Sequence, residues 1–418
     1  MGSEESVLHG AWRWTRLTSG PVIATGTAAL ATLVANTVLL RYLPIRDAGL
    51  FALGIAIVET LSLIGAAGQP TLIMRLYADS PRDANDWPID LIRLMLLSSI
   101  PVGLGMLVTN ALYPYSPSNL LWIMSAAVVT VPVNLSAYML NAKLHHTWGA
   151  LLLRLPNSIL IFPALLMSWD AALRGLNYVL GWYLLGILAT AGLALLLMIR
   201  NLPRGQQRIS LRQHLEGMIF LVSNGTQLLL DQGMVAIAGA LLQPAKLASF
   251  AAIAILLRPF RLITNILGMI FTPQFIRFDR NSYTRLLVGI GAVAGASAIG
   301  SLYLVPCLAG VIYGDRYASG YQIVPWLAAV GFLLVLRTLP GSHIFGRATV
   351  GFVRKVILTE ASIVLLVSGI TILAIWKLGI VGLAVGLAAG HAARTATTFY
   401  FWFRFRRVDP ARGQPVTR

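Results

Sequence analysis

The stretch AILLRPFRLITNIL, residues 254–267, carries Arg258 and Arg261 around Pro259 inside an otherwise apolar run. Three residues apart, the two arginines fall on one face of a helix. A guanidinium is permanently charged, and its paired N–H donors match phosphate or carboxylate oxygens. At bilayer depth an ionisable side chain costs ~2.5–3.5 kcal/mol on insertion scales, so it is expected to face a cavity or a partner. At 1.5 Å per residue Arg258 lies ~18 Å from the outer end of its helix, near mid-bilayer. Pro259 has no N–H and its ring clashes with the carbonyl of Ile255, which predicts a kink. Such a kink is tolerated where the freed backbone groups face protein or water. Arg337 and Arg394 each sit ~20 Å from their helix's outer end, in the inner half. Arg394 shares a face with His391 and Thr398, at spacings of three and four. The four cations read as a substrate-binding ladder from mid-depth inward, with snorkelling or structural ion pairs as the alternative.

Three acids fall within apolar blocks: Glu59, Asp231 and Glu360. Each is a candidate for ion coupling, and Asp231 and Glu59 are equally candidate counter-ions for the arginines. Asp231 continues a stripe, Asn224–Gln227–Asp231, and Asn134, Tyr138 and Asn141 form a second one. Both stripes are expected to face a cavity rather than lipid. Gln227, Asn134, Tyr138 and Asn141 are thus candidate groups for hydrogen-bonding sugar hydroxyls, or else for bonds between helices. The six histidines are scattered, and the adjacent pair His145–His146 diverges on a helix. No Gly-rich phosphate loop, paired-carboxylate motif or metal-ligand spacing is present. The expectation is therefore a protein without cofactor, metal site or catalytic residues, and not an enzyme.

The elements that position these groups follow from composition. Of 418 residues 57% are hydrophobic and 11% charged, with a mean hydropathy of +0.75. Soluble domains carry roughly 25% charged residues. A net charge of +17 would suggest nucleic acid in a soluble chain. The arginines instead flank long apolar blocks, which points to membrane orientation and anionic lipid, not nucleic acid. Twelve candidate spans fall near 20–41, 50–74, 89–110, 119–141, 148–168, 176–199, 215–241, 246–275, 284–312, 321–346, 352–376 and 379–403. Residues 1–19, with Trp12 and Trp14, read as a cytoplasmic interfacial segment rather than a cleavable signal. Residues 20–200 and 215–405 read as two six-helix bundles, 201–214 as a cytoplasmic linker and 406–418 as a basic cytoplasmic tail. Basic residues concentrate on alternate connections, such as Arg75 and Arg82, Lys143, and Arg200 to Arg212. The positive-inside rule then puts both termini in the cytoplasm. The single Cys307 excludes an internal disulfide.

The halves also repeat one another. LLRYLPIRDAGLFALGI (39–55) aligns with GALLQPAKLASFAAIAI (239–255), and QPTLIMR (69–75) with TPQFIR (272–277). Internal repeats in a polytopic chain point to a transporter. The segments RYLPIRDAGLFAL (41–53), LLLDQGMVAIAGALLQPAKLASFAAI (228–253), YGDRYASGYQIVPWLA (313–328) and WKLGIVGLAVGLAAGHAAR (376–394) resemble the polysaccharide-transporter branch of the MOP flippase superfamily, the Wzx-type O-antigen and exopolysaccharide flippases. PIRDAG departs slightly from the family's first turn, where acidic residues often occur. The resemblance implies an all-α integral membrane protein of twelve transmembrane helices, in two pseudo-symmetric six-helix bundles of MATE-like fold around a central cavity. It implies a flippase for an undecaprenyl-diphosphate-type lipid-linked oligosaccharide in the bacterial inner membrane, working by alternating access. Membrane lipid and polysaccharide polymerase machinery are the implied partners. A MATE-type drug exporter and a membrane-embedded glycan polymerase or ligase are the rival readings. The first would want acids rather than arginines inside, and the second a large external loop that is absent between spans.

Overall fold

The structure is a computed structural model and describes residues 2–66, 68–79, 86–206, 208–210, 212–213, 222, 225–271, 280–348 and 350–407. Among the described residues every regular element is a helix, and there is no strand. Among the described residues seven stretches are long and apolar enough to cross a membrane, or nine if each of two bent helix pairs counts as one span. One of the seven, Thr284–Ile344, runs for 61 residues and holds two helices joined by a 3-10 segment. The chain is a multi-pass membrane protein. Of the twelve expected spans, the seventh and eighth fall partly outside the described residues, as do Asn224, residues 272–277 and the tail from 408 onward.

The chain divides into two compact units. Unit 1 comprises residues 1–42 and 57–221, unit 2 residues 43–56 and 222–418. Unit 1 contains α1 (Gly2–Tyr42), most of the second half of α2 (Ile45–Ala66), α3 (Gln69–Asp79), α4 (Trp87–Leu112) and α5 (Pro117–Ala142). It continues with α6 (His146–Leu152), α7 (Leu155–Ile159), α8 (Ile161–Trp169) and α9 (Leu176–Asn201). Two expectations change in this unit. The interfacial segment is no separate helix, because α1 runs unbroken from Gly2. The span expected at 50–74 is interrupted between Ala66 and Gln69. Gly68 takes φ +75°, a left-handed conformation open to glycine, and Pro70 follows.

The fifth span is broken too. Leu155–Trp169 is bent by 53° from His146–Leu152. Pro156 removes a donor and presses on the carbonyl of Leu152, the last residue of α6.

The first part of the polar connector belongs to unit 1. Trp87 Nε1 donates to the Leu202 carbonyl (3.0 Å), and the Ile209 amide donates to Asp90 Oδ1 (3.0 Å). Tyr77 Oη donates to Asp90 Oδ2 (2.9 Å). Burial first, and the Asp90 carboxylate second, push the Tyr77 phenol far above its usual range, so it stays a donor.

Unit 2 contains α10 (Met234–Leu241), α11 (Pro244–Leu256), α12 (Arg258–Phe271), α13 (Arg280–Tyr313), α14 (Val324–Arg347), α15 (Val350–Leu378) and α16 (Ile380–Arg407). The repeated turns match within a residue. α1 ends at Tyr42 and α2 starts at Ile45; α10 ends at Leu241 and α11 starts at Pro244. Residues 43–56 cluster with unit 2, in contrast to the expected division at 201–214. Small residues allow this. A Cβ on Gly49 would lie well inside contact distance of the Pro244 carbonyl oxygen, and one on Gly239 would collide with Leu53. The two repeated hairpins thus meet backbone to backbone.

Overpacking a tight contact costs typically 1–3 kcal/mol and more when backbone must move. Gly49→Val is expected to cost at least ~3 kcal/mol and abolish the monodisperse peak in detergent size-exclusion chromatography. Gly26→Ala, which meets nothing within 4 Å, is expected to elute as wild type.

A candidate anion site in unit 2

The candidate site starts from helix breaks and a wide turn. α11 and α12 meet at Leu257 with a 47° bend, two residues before Pro259. Arg258 opens α12 and is half-buried; Arg261, one turn on, is half-exposed, with 44% of its side chain accessible. Just before α10, residues Leu229–Gly233 form a single π turn. Such bulges recur at functional sites because they re-aim a side chain within a helix. This one carries Asp231.

Arg261 Nη2 donates to Asp231 Oδ1 at 2.9 Å, and the same oxygen lies 3.6 Å from His391 Nε2 on α16. Asp231 keeps 15% of its side chain accessible, while His391 is buried.

One turn along α16 a second cluster begins. Arg337 Nη2 donates to both Glu360 oxygens (2.9 and 2.7 Å), and Arg337 Nε donates to Thr398 Oγ1 (2.9 Å). Thr398 can pass its one hydroxyl proton to Glu360 Oε1 (2.8 Å) or to the carbonyl of Arg394 (2.9 Å). Arg394 Nη2 stands 3.6 Å from Glu360 Oε2, with its side chain 3% accessible. Its Nε and Nη1 are buried without a hydrogen-bond partner. α14, α15 and α16 are tied through this one carboxylate.

The predicted residues therefore separate into groups. Arg261, Asp231 and His391 form an accessible end; Arg337, Glu360, Arg394 and Thr398 form a closed end. The shared face of His391, Arg394 and Thr398 is the rail that joins them. Gln227, one turn before Asp231, is exposed. Glu59 is half-buried in unit 1. Asn134, Tyr138 and Asn141 also lie in unit 1, all half-buried on α5. The π turn carries no spacing signal, and nothing in the sequence pairs Glu360 with Arg337. Arg154, at the break in the fifth span, was readable as an intramembrane cation but has no partner at helical spacing to draw attention to it.

No protein-family profile matches the chain, and no curated protein sequence does. Solved structures do. Lipid II flippase MurJ in an inward closed conformation matches with a TM-score of 0.65 at 12% identity, over 94% of this chain and 93% of that one. An inward-facing multidrug resistance MATE transporter of the MOP superfamily matches with 0.64 at 12% identity, over 94% and 100%. The chain has the MOP fold. A variant of the Vibrio cholerae MATE transporter VcmN matches with 0.53 at 13% identity, over 96% and 98%. On this MOP fold, three permanent cations (Arg261, Arg337, Arg394) face two carboxylates (Asp231, Glu360). The cations thus outnumber the carboxylates by one.

Removing one partner from a buried ion pair costs about 3–5 kcal/mol, because a charge is left uncompensated. Glu360→Gln is expected to destabilise by roughly that amount. Adding Arg337→Met to Glu360→Leu is expected to recover part of the loss, read as thermal midpoints in detergent.

Proposed function

We propose that the protein is a flippase moving a polyprenyl-diphosphate-linked oligosaccharide, of the undecaprenyl type, from the inner to the outer leaflet of a bacterial inner membrane. One observation carries this reading: Arg261, half-exposed beside a helix break, holds an internal carboxylate where an anionic cargo would bind. Asp231 acts as the stand-in for phosphate. Diphosphate oxygens replace it on Arg261 and engage Arg258, while Asp231 stays beside His391. Exchanging one oxyanion for another avoids baring the guanidinium in an apolar interior, which would cost several kcal/mol. Arg337, Arg394 and Glu360 brace the helices that present this pair. The likeness to a lipid II flippase supports a lipid-linked cargo.

Outward movement of a doubly charged headgroup from a negative-inside cell gains ~2.3 kcal/mol per charge per 100 mV, roughly 4–5 kcal/mol in all. Membrane potential is thus a sufficient drive, and Asp231 is the candidate for any coupled proton or sodium. A MATE-type exporter of cationic drugs is the weaker reading, because both interior carboxylates of unit 2 already face arginine.

Hydrogen bonds to charged groups are worth about 1.5–3 kcal/mol each, so losing both arginine contacts is expected to reduce export at least tenfold. The measurement is surface polysaccharide in cells that depend on Arg258→Ala/Arg261→Ala protein. Wild-type export by that variant would sink the cationic-site reading. A deletion strain is expected to accumulate lipid-linked saccharide on the cytoplasmic face; accumulation on the outer face would point to a polymerase.

A further inference from the structure

Unit 1 holds a cation of its own at a break in a span. Arg154 lies between α6 and α7, where the fifth span bends by 53°. Its backbone is fixed: the Arg154 carbonyl accepts from the Ser158 hydroxyl at 3.0 Å, and that hydroxyl also reaches the Ala28 carbonyl of α1 at 2.9 Å. Its guanidinium is another matter. It is half-buried, and it makes no hydrogen bond or ion pair among the described residues. The four arginines of unit 2 differ: Arg261, Arg337 and Arg394 each face a carboxylate, and Arg258 has an interaction of its own.

Several polar side chains on the adjoining helices make no hydrogen bond among the described residues either. Tyr138 lies on α5, one turn before Asn141. α5 and α6 pack tightly, with Asn141 Oδ1 and the Ala137 carbonyl lying where a Cβ on Gly149 would be. This antiparallel contact brings the Asn134–Tyr138–Asn141 stripe alongside the break. The side chains of Asn134, Tyr138 and Asn141 make no hydrogen bond among the described residues. Asn157, three residues after Arg154, has a buried side-chain oxygen without a partner.

A permanent cation, a phenol and amides with unfilled hydrogen-bonding capacity form a cluster that lacks its complement. In the Glu360 cluster of unit 2, by contrast, Arg337 has both a carboxylate and a hydroxyl. The complement must supply negative oxygens for Arg154 and hydroxyl groups for the amides. We propose that the break at Arg154 is a second cargo-binding subsite, in unit 1, where Arg154 takes a diphosphate oxygen and Tyr138 and the asparagines take hydroxyls of the adjoining sugar. This rests on the flippase reading and adds to it a residue and a subsite independent of Arg258 and Arg261.

The test is thermal stabilisation of the purified protein in detergent by three probes: inorganic pyrophosphate, farnesyl diphosphate, and phosphatidylglycerol in mixed micelles, each against sodium chloride of equal ionic strength. Wild type is expected to be stabilised by both diphosphates. Arg154→Gln is expected to raise the half-saturating concentration about tenfold. Arg154→Lys, which keeps the charge and loses the fork, is expected to raise it several-fold, and both variants should elute as wild type. Should Arg154→Gln not fold, Arg154→Lys and Tyr138→Phe carry the comparison, the latter removing a single hydroxyl. Half-saturation unchanged in the Arg154 variants but lost in Arg258→Ala/Arg261→Ala would overturn the subsite and leave the flippase reading standing. Equal stabilisation by phosphatidylglycerol would overturn it in favour of an ordinary lipid headgroup. No diphosphate effect on wild type, with no change in either set of variants, would remove the flippase reading and the subsite together.

Discussion

A guanidinium in an apolar interior needs a carboxylate or another oxygen-rich partner, and in unit 2 one residue meets most of that need. Glu360 receives two hydrogen bonds from Arg337, one from Thr398, and faces Arg394. α14, α15 and α16 meet at this point, and lipid offers no hydrophobic drive to hold helices together. The ion cluster therefore does structural duty that burial of leucine performs in water. Its placement also dictates the rest: with Glu360 committed to Arg337 and Arg394, the remaining cation, Arg261, depends on Asp231. Asp231 in turn depends on the π turn that aims it.

The two ends of this chain of charges differ in a way that matters for chemistry. At the closed end the side chains of Arg394 and Glu360 are 3% and 5% accessible. An ion pair of that kind is kept by the penalty of separating it, since both charges would be stranded. At the other end Arg261 is 44% accessible. There the guanidinium is within reach of solvent even while it holds Asp231. Arg261 is thus set apart from Arg394 by access rather than by residue type.

Spacing along the chain carried part of this. It identified Arg258 and Arg261 on one face, the proline that breaks their helix, the face shared by His391, Arg394 and Thr398, and the twin hairpins at 41–46 and 241–246. Periodicity reports on faces of one helix at a time. It does not say which helices meet, so the Glu360 bridge and the Asp231–His391 contact were not legible. The four-arginine ladder accordingly resolves into one accessible pair and one braced pair. The assignment of residues 43–56 to unit 2 was hidden for a related reason. It depends on a backbone contact between Gly49 and Pro244, two hundred residues apart in the chain, whose only trace is the absence of a side chain.

Proline alone did not mark the breaks. Pro101, Pro132, Pro306 and Pro340 all lie inside continuous helices. The three spans that do break share a further feature: a long polar side chain beside the proline, as Gln69–Pro70, Arg154–Leu155–Pro156 and Arg258–Pro259. In each, the carbonyl that loses its donor belongs to Ala66, Leu152 or Ile255, in the last turn of the preceding helix. Freed carbonyls carry the partial negative charge of a helix C-terminus, which favours a nearby cation. The break therefore makes a cation more tolerable at that depth. A guanidinium at such a break has a reason to be where it is that an uninterrupted helix does not provide.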